Sequence, residues 1–304
     1  ISSIAVCYLH SYANPEHERL TRDILHEVFP AASVTLSHEL TREWREFERT
    51  CTTVLNAYVR PTAQGYLGEL VRQLDSLGLT GVKHAMQSNG GATTFARAME
   101  SPIQLVESGP VGGVIGAAVL GQAIAESNII SLDIGGTTAK TSLIENGEVK
   151  VNTDYRFEVS PLSSGYPIKV PVVDIVEIGS GGGSIARLDL GGSIKVGPAS
   201  AGAVPGPACY GRGGSEPTVT DANVVTGRIN PDYFLGGEIK LDVGRATQAV
   251  GALARGRGLS ERETALGIIR VANNNMINAL RMVSVRRGHD PRDFSMVVMG
   301  GGSG

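Results

Sequence analysis

The residues best suited to chemistry follow an apolar run at positions 129–132. That run leads into an acidic residue, two glycines and two hydroxyl side chains: Asp133, Gly135, Gly136, Thr137 and Thr138. Glycines let backbone N–H groups approach an anion closely, threonine hydroxyls add donors, and a carboxylate at a strand end can hold a hydrated divalent cation. The sequence therefore predicts a phosphate-binding turn whose backbone geometry is set by Gly135 and Gly136.

Neither of the common nucleotide-binding loops has this form. The chain has no G-x-x-x-x-G-K-[ST] sequence, and after Lys140 it continues as a second apolar segment where a dinucleotide-binding fingerprint would open a helix. The pattern predicts a hairpin made of a strand, a tight glycine turn and a second strand. Asn146-Gly147 predicts another two-residue turn at the far end of that second strand.

The hairpin resembles the phosphate loops of the actin, sugar-kinase and heat-shock-chaperone ATPase superfamily. In that superfamily two lobes of ribonuclease-H-like topology close on ATP, a crossing helix of small residues precedes the second phosphate loop, and a late glycine-rich turn abuts adenosine. This chain has a small-residue segment at 109–118 and a glycine-rich segment at 297–304. The resemblance implies an α/β fold of ribonuclease-H-like (actin-like ATPase) lobes, with the first lobe incomplete.

Further segments resemble the hydantoinase A / 5-oxoprolinase family and together span residues 86 to 304. They are residues 86–91, 107–110, 177–186, 206–211, 217–223 and 288–294. Members of that family include ATP-dependent N-methylhydantoinases, oxoprolinases and a subunit of acetone carboxylase, which activate a carbonyl or amide oxygen at the expense of ATP. Many members carry Asp after the loop threonines, where this chain has Ala139, and His where it has Val176. Both differences bear on the substrate.

The resemblance implies ATP and Mg²⁺ as cofactors. The phosphates would lie on Gly135, Gly136, Thr137 and Thr138, and adenosine near Gly300, Gly301 and Gly302. Asp133 would hold Mg²⁺ through water and act with Asp221 as a catalytic residue. The implied function is ATP-dependent hydrolysis of a cyclic amide of hydantoin or 5-oxoproline type, with phosphoryl transfer to the carbonyl oxygen.

Other functions remain open at this point. The chain could belong to an ATP-dependent ketone carboxylase subunit, a sugar-kinase-like enzyme or a regulatory actin-like ATPase module. For an enzyme of this family, a hydantoinase B-type subunit is the implied partner. Because Ile1 is not a natural start and residue 304 lies inside a motif, we expect a fragment of a longer polypeptide that is inactive in isolation.

Several polar residues have two interpretations. Asp221 either caps a helix over 222–226 or contacts metal or substrate. Asn89 follows a predicted strand over 82–87, where it meets ligand or forms a polar turn. Asn274 and Asn278 lie one helical turn apart and face either a ligand cleft or solvent. Cys209 is either a reactive thiol or an ordinary small residue.

The composition limits the kinds of protein to which the chain can belong. With 304 residues and 41% hydrophobic content, the chain can bury a sizeable core and suggests about two domains. Its net charge of −3, without any cluster of five basic residues, argues against nucleic acid or an anionic membrane as the main partner. Three distant cysteines and no signal-like segment favour a reducing cytoplasm and small-molecule chemistry.

The predicted organisation has two parts. Residues 1–108 form the C-terminal part of a first lobe, a strand, helix and strand followed by a helical connection. Residues 109–304 form a second lobe, truncated at its C-terminus, with a Gly/Pro-rich insertion at about 180–216. The small residues of 110–125 predict a helix that is either a hinge or simply tightly packed.

The remaining elements follow from periodicity and breakers. Helical spacing over 42–59 predicts a core stripe, and Pro61 predicts a break before a helix resumes at 64–77. The stripe consists of Trp44, Phe47, Cys51, Leu55 and Tyr58. Residues 168–178 are predicted as one long β segment, and residues 246–256 and 261–285 as helices.

Overall fold

The computed structural model describes residues 1–159, 163–256 and 258–302. They form two compact units, one of residues 1–115 and 150–174, the other of residues 116–149 and 175–304. The first boundary falls inside a helix and lies seven residues beyond the predicted one. The return of residues 150–174 to the first unit was not predicted, because no local pattern marks it. No helix in the described ranges is long and apolar enough to cross a membrane.

The first unit contains short strands and one long helix. Its elements are β1 (Ser3–Val6), α1 (Glu16–Val28), β2 (Ser33–Leu36), α2 (Ser37–Leu40), α3 (Glu46–Ser76), β3 (His84–Met86), β4 (Ala92–Thr94) and α4 (Phe95–Glu100). Helix α5 (Ser108–Ala123) contains the boundary, and strands β8 (Val151–Asn152), β9 (Tyr155–Phe157), β10 (Tyr166–Ile168) and β11 (Val172–Val173) complete the unit.

The predicted strand, helix and strand at the start of the chain are confirmed. Strands β1 and β2 pair in parallel, and helix α1 connects them. Val6, Val34 and Leu36 form a small core against which Ile4 and Leu25 pack. The side chain of Asn14 accepts a hydrogen bond from the N–H of Glu16 at 3.1 Å, which satisfies one of the free donors at the start of α1.

The break predicted at Pro61 is wrong, because α3 continues through it. A proline has no N–H, so the carbonyl oxygen of Ala57 loses its helical donor. The hydroxyl of Ser3 donates to that oxygen at 2.6 Å. A tertiary contact thus replaces the missing helical hydrogen bond, and the sequence around Pro61 contains no sign of it.

The prediction that a stripe of this helix is core is wrong for its three aromatic residues, whereas Leu55 of the same stripe packs against the core around Ile103. Trp44 and Phe47 are each 63% exposed and Tyr58 is 80% exposed. The buried face of α3 is polar instead, with Arg49, Thr52, Thr53 and Asn56 fully buried. Backbone groups bond to these side chains. The Arg49 guanidinium donates to the carbonyl oxygens of Tyr8 and Glu43, both at 2.7 Å, although its Nε has no partner among the described residues. Asn56 accepts from the N–H of Ile103 at 3.1 Å.

The second unit begins with the predicted hairpin. Its strands are β5 (Ile129–Ile134), β6 (Ala139–Glu145), β7 (Glu148–Val149), β12 (Val176–Ile178), β13 (Ser184–Leu188), β14 (Ile194–Ser200) and β15 (Ser295–Met299). Its helices, besides the end of α5, are α6 (Val219–Val225), α7 (Val243–Arg255) and α8 (Glu261–Val283).

One mixed sheet organises this unit. Its strand order is β12-β6-β5-β15, with β7 paired to β6, and β15 is parallel to β5 while the other pairs are antiparallel. Asn146 and Gly147 both have positive φ in the tight turn between β6 and β7, as predicted. The sheet packs on α8 through Leu132, Ile134 and Ala139, against which Met276 and Leu280 are placed.

The region after the sheet differs from the prediction of one long strand. The long β segment predicted over 168–178 is three short strands, β10, β11 and β12, each paired to a different partner. Within the predicted Gly/Pro-rich insertion at 180–216, β13 and β14 form a hairpin. Ala186 and Val196 of that hairpin join a core with Val250 and Ile268.

Candidate phosphate-binding site

The turn between β5 and β6 lies at the surface of the second unit. Gly136 and Thr137 are exposed, and Gly135 and Thr138 are half-buried. Strand pairing ends at Ile134 and Ala139, and the N–H of Gly135 then donates to the carbonyl oxygen of Thr138 at 3.0 Å. The turn is therefore open to a ligand on the side that this unit leaves exposed.

A second glycine loop holds the carbonyl groups of the turn. The N–H of Gly182 donates to the oxygen of Gly135 at 3.0 Å, and the N–H of Gly183 donates to the oxygen of Gly136 at 2.6 Å. By contrast, the N–H groups of Gly136, Thr137 and Thr138 donate to no residue in the described part of the chain. Three consecutive N–H groups without acceptors among the described residues, at an exposed turn, are donors available to an anion.

The structure changes the predicted reason for the glycines. Neither Gly135 nor Gly136 has a positive φ, and a Cβ on Gly136 would meet nothing within 4 Å. The strict requirement lies in the neighbouring loop, where a Cβ on Gly181 would stand 2.6 Å from the oxygen of Gly135. The absence of a side chain at Gly136 thus leaves space above the turn without being needed for its backbone.

The glycine-rich end of the chain lies against the same hairpin. The N–H of Gly302 donates to the carbonyl oxygen of Ile134 at 2.8 Å. Gly300 has a φ of +92°, and a Cβ there would collide with a carboxylate oxygen of Asp133. Gly301 is exposed, with open space around its Cα. Ser303 and Gly304, which belong to the same predicted motif, lie outside the described residues.

Asp133 is half-buried at the end of β5, beside Gly300. Its carboxylate forms no hydrogen bond or ion pair with any residue that the structure describes. Within those residues there is also no group of three or more His, Cys, Asp or Glu side chains able to enclose a metal. Mg²⁺ in phosphate sites is usually held by one or two carboxylates together with the phosphate oxygens, so a single carboxylate next to a phosphate turn fits that ion.

A cavity of about 170 Å³ lies beside the turn. Its lining is Ile134, Ser180, Gly181, Gly182, Val219, Asn223, Arg228, Ile269, Ala272, Asn273, Met276 and Gly302. Apolar side chains of β5 and α8 form one part of the wall, and Asn223, Arg228 and Asn273 supply polar groups. Such a mixture suits a flat, partly polar ring.

Asp221 is fully buried and holds the start of α6. Its carboxylate accepts from the N–H groups of Ala208, Cys209 and Thr218 at 3.2, 2.8 and 2.9 Å, and from the Thr218 hydroxyl at 2.8 Å. Thr218 is the N-cap and Asp221 the third helical residue of a capping box, so the capping interpretation is confirmed with the helix starting earlier than predicted. The catalytic role of Asp221 stays a prediction, and these contacts describe a structural one.

Cys209 packs beside Asp221 in the same buried loop. Burial raises the pKa of its thiol far above the usual range, and the negative charge of Asp221 raises that pKa further. A thiol of this kind is protonated at neutral pH and is a weak nucleophile. The ordinary structural interpretation of Cys209 therefore fits the structure.

The asparagine candidates lie outside this cavity. Asn89 forms a polar turn in the first unit, where its side chain accepts from the N–H of Gly91 at 2.9 Å. Asn274 and Asn278 are exposed on α8, while the side chain of Asn275 donates to the carbonyl oxygen of Val196. Ligand contact by Asn89, Asn274 and Asn278 remains a prediction.

Sequence reasoning missed several residues around the turn. Thr220 donates to the carbonyl oxygen of Gly182 at 2.8 Å, and Ser200 lies 3.3 Å from the hydroxyl of Thr137. Arg228 and Asn273 line the cavity. The glycine-rich segment 179–183 was the one sequence feature that could have pointed to them. Local sequence, however, does not show that this segment folds onto the hairpin.

Comparison with known proteins gives a family match over most of the chain. The family model described as Hydantoinase/oxoprolinase matches residues 49–304. An uncharacterised protein of Methanocaldococcus jannaschii is 43% identical over 98% of this chain and 45% of its own length. The caprolactamase subunit alpha of Pseudomonas jessenii is 36% identical over all of this chain and 43% of its own length.

Solved structures agree with these relatives. A nucleotide-free structure of acetone carboxylase superposes with a TM-score of 0.83 and 33% identity over 95% of this chain and 41% of that one. That structure was determined for the mechanism of ATP-dependent acetone carboxylation. The chain spans less than half the length of each of these proteins.

Proposed function

The chain belongs to the hydantoinase/oxoprolinase family, and from this premise we propose that its second unit binds ATP in an enzyme that hydrolyses cyclic amides of hydantoin or 5-oxoproline type. ATP-dependent lactam and ketone chemistry is named among its relatives, since one is a caprolactamase subunit and another an acetone carboxylase. The solved structures of acetone carboxylase and of an ATP-dependent caprolactamase both superpose on this chain. The proposal extends their ATP dependence to the turn at residues 135–138.

The observation that carries the proposal is the set of unused donors at that turn. The N–H groups of Gly136, Thr137 and Thr138 lack acceptors among the described residues, while the adjacent carbonyls are held by Gly182 and Gly183. Backbone donors fixed in this way need no reorganisation when a phosphate binds. Adenosine is proposed near Gly300, Gly301 and Gly302, where the cavity beside Gly302 offers apolar walls and polar groups.

Asp133 is the proposed Mg²⁺ residue and a catalytic residue. When bound, Mg²⁺ would offset the charge of the phosphates. The remaining contribution of the chain is to place the phosphates and their acceptor in line, because phosphoryl transfer depends mainly on positioning and electrostatic stabilisation. Transfer of the terminal phosphoryl group to the amide oxygen would activate the amide carbon for attack by water. Breaking of the ring C–N bond would then leave an acyl phosphate, which a second water would hydrolyse to a carboxylate and phosphate.

Family membership also supports proposals for the fold of the lobe, the partner subunit and the cellular location. The mixed sheet, in which β5 has an antiparallel neighbour on one side and a parallel neighbour on the other, supports a ribonuclease-H-like, actin-like ATPase lobe. The relative called subunit alpha supports a partner subunit, which we propose to be of hydantoinase B type. A cytoplasmic location remains part of the proposal.

A ketone carboxylase subunit is the second candidate. It is favoured by the superposition on acetone carboxylase, whose TM-score is 0.83. The two candidates share ATP use and differ in the acceptor, a lactam in one and a ketone with bicarbonate in the other.

The test uses the complete protein with its partner subunit. ADP release is measured with a panel of hydantoin, 5-oxoproline, other lactams and ketones with bicarbonate. We expect a cyclic amide to stimulate turnover, whereas ketone stimulation would select the second candidate. ATP hydrolysis that none of these compounds changes would favour a regulatory ATPase and contradict both.

The variant Gly136→Val tests the turn itself. Its side chain has open space in the folded protein, so we expect the melting temperature to be retained while ATP affinity in calorimetry falls at least tenfold, about 1.4 kcal/mol. Gly116→Ala, on a helix and with similar open space, is the matched control and should bind normally. Unchanged ATP affinity in Gly136→Val would remove the turn from the site.

A further inference from the structure

The first unit contains a groove of about 900 Å³ that the proposed ATP site does not use. It is bounded by α1, β2, α3 and α4, together with α2 and the residues that follow it. Its charged lining, apart from histidines, consists of Arg19, Arg22, Arg42, Arg60 and Arg97 with Glu39 and Glu100. Five arginines against two glutamates leave an excess of three positive charges.

Two of the arginines form no ion pair with an acidic side chain of the described residues. Arg22 pairs with Glu39 at 2.7 Å and Arg97 pairs with Glu100 at 2.8 Å, so the two glutamates are already occupied. The side chains of Arg19 and Arg42 form no ion pair or hydrogen bond with any residue in the described ranges. Both are exposed, so their charges are available to a ligand in the groove.

Arg60 is held in the wall of the groove by the edge of the sheet. Its guanidinium donates to the carbonyl oxygen of Val34 at 2.7 Å, while its Nε is buried without a hydrogen-bond partner. A buried unpaired donor is costly, and a nearby anion reduces that cost. The Arg60 side chain therefore adds positive potential at the base of the groove.

His38 completes the lining and is oriented by a buried carboxylate. Its Nδ1 lies 2.7 Å from Oε2 of Glu18, which is fully buried. Glu18 also accepts from the Ser37 hydroxyl at 2.6 Å and from the N–H groups of Tyr8 and His38 at 3.0 and 3.2 Å.

The direction of the hydrogen bond between Glu18 and His38 follows from those contacts. Burial by itself would raise the pKa of Glu18, but the hydrogen bonds from Ser37, His38 and Tyr8 outweigh it and lower that pKa below its ordinary value. An ionised Glu18 is an acceptor, so Nδ1 of His38 carries a proton and donates it. Nε2, at the opposite edge of the ring, has no hydrogen-bond partner among the described residues. His38 lines the groove with a side chain that is 5% exposed.

We propose that this groove binds a small molecule carrying two or more phosphate or carboxylate groups. Arg19 and Arg42 supply charge, and Nε2 of His38 forms a hydrogen bond to an anionic oxygen. A singly charged ligand would leave most of the excess positive charge uncompensated. Nucleic acid fits poorly, since the groove is concave, Glu39 and Glu100 stand in its lining, and the whole chain has a net charge of −3.

Calorimetry on the complete protein tests the proposal, with pyrophosphate and citrate as probes. The titrations are made in the Gly136→Val background, which removes the proposed ATP site as a competing place for pyrophosphate. We expect at least one probe to bind with a Kd below about 1 mM. Preference for pyrophosphate would identify a phosphate ligand, and preference for citrate a carboxylate ligand.

Two arginine variants locate that binding. Arg42→Gln should weaken it at least tenfold. Arg72→Gln should leave it unchanged, because Arg72 lies on α3, is 76% exposed, pairs with Glu69 and does not line the groove. Absence of binding by both probes, or equal weakening by Arg42→Gln and Arg72→Gln, would overturn the proposal.

Two further variants distinguish ligand binding by His38 from a purely structural role. His38→Asn keeps a donor near the position of Nδ1 and removes Nε2, whereas His38→Gln keeps a polar group near Nε2 and removes the bond to Glu18. We expect His38→Asn to retain the melting temperature and lose affinity, and His38→Gln to bind more tightly than His38→Asn. Full affinity in a stable His38→Asn would show that Nε2 contacts no ligand.

Discussion

Asp133 is proposed as the Mg²⁺ residue because of its position in the fold. It ends a buried strand, stands beside Gly300, and makes no hydrogen bond or ion pair with the described residues. Carboxylates at such places are normally solvated or paired, and here the neighbouring turn offers the donors that a phosphate needs. We therefore propose that a cation shared with phosphate binds at this carboxylate.

We expect Asp133→Asn to lower Mg²⁺-dependent ATP turnover of the complete protein by at least a hundredfold, about 2.7 kcal/mol in activation free energy. The side chain keeps its size, so the melting temperature should be retained. Asp23→Asn, an exposed carboxylate on α1, serves as the control and should be fully active. Wild-type turnover in Asp133→Asn at limiting Mg²⁺ would remove Asp133 from the site.

At the scale of elements, helix α3 shows how a tertiary contact can override a local breaker. Pro61 deprives the Ala57 carbonyl of its helical donor, and the Ser3 hydroxyl replaces it at 2.6 Å. Strand β1 and helix α3 are therefore joined at the point where the helix is weakest. The same helix buries Arg49 and Asn56 because distant backbone groups bond to them.

This contact predicts a specific rescue. Ser3→Ala leaves the Ala57 oxygen unpaired and should lower the free energy of unfolding by about 1 kcal/mol, whereas Ser2→Ala, at an exposed residue, should have little effect. Pro61→Ala supplies a new N–H four residues after Ala57, so the loss should be smaller in the Ser3→Ala/Pro61→Ala protein than expected from the single variants. Urea denaturation gives the free energy of unfolding of the wild type, Ser3→Ala, Pro61→Ala and the double variant, with Ser2→Ala as the control. Strict additivity would contradict the replacement.

At the scale of the whole molecule, the chain forms its units from segments that are not contiguous. Residues 150–174 return to the first unit after the hairpin has been built in the second. There Ile168 and Val172 join a core with Ile103, and the N–H of Lys169 donates to the Thr52 hydroxyl at 2.9 Å. The first unit is therefore completed by a segment that follows the first part of the second unit, and the second unit is completed only after that segment.

The Thr52 contact predicts how firmly that segment is held. Thr52→Val preserves shape but leaves the N–H of Lys169 without its acceptor, which should cost about 1–2 kcal/mol. We expect faster hydrogen exchange in residues 166–173. Thr50→Val, at an exposed position of the same helix, should exchange like the wild type. Unaltered exchange in Thr52→Val would show that the segment is held by its apolar contacts alone.

The sequence by itself determined the hairpin, the turn at Asn146-Gly147, most helices and the family. These depend on alternation, helical spacing and turn residues, which are local and leave a direct trace in the order of residues. The turn that is predicted to bind phosphate was recognisable for the same reason, since Asp133, the two glycines and the two threonines lie close together in the chain.

Only the tertiary structure decided what surrounds that turn and which side chains are buried. The contact of Gly182 and Gly183 with the hairpin, the passage of α3 through Pro61, the polar buried face of that helix and the Glu18–His38 pair all join residues distant in sequence. Their energies come from hydrogen bonds and burial that exist only after folding, so no local pattern encodes them. The exposure of Trp44, Phe47 and Tyr58 has the same origin, because spacing identifies a helix face without identifying what packs against it.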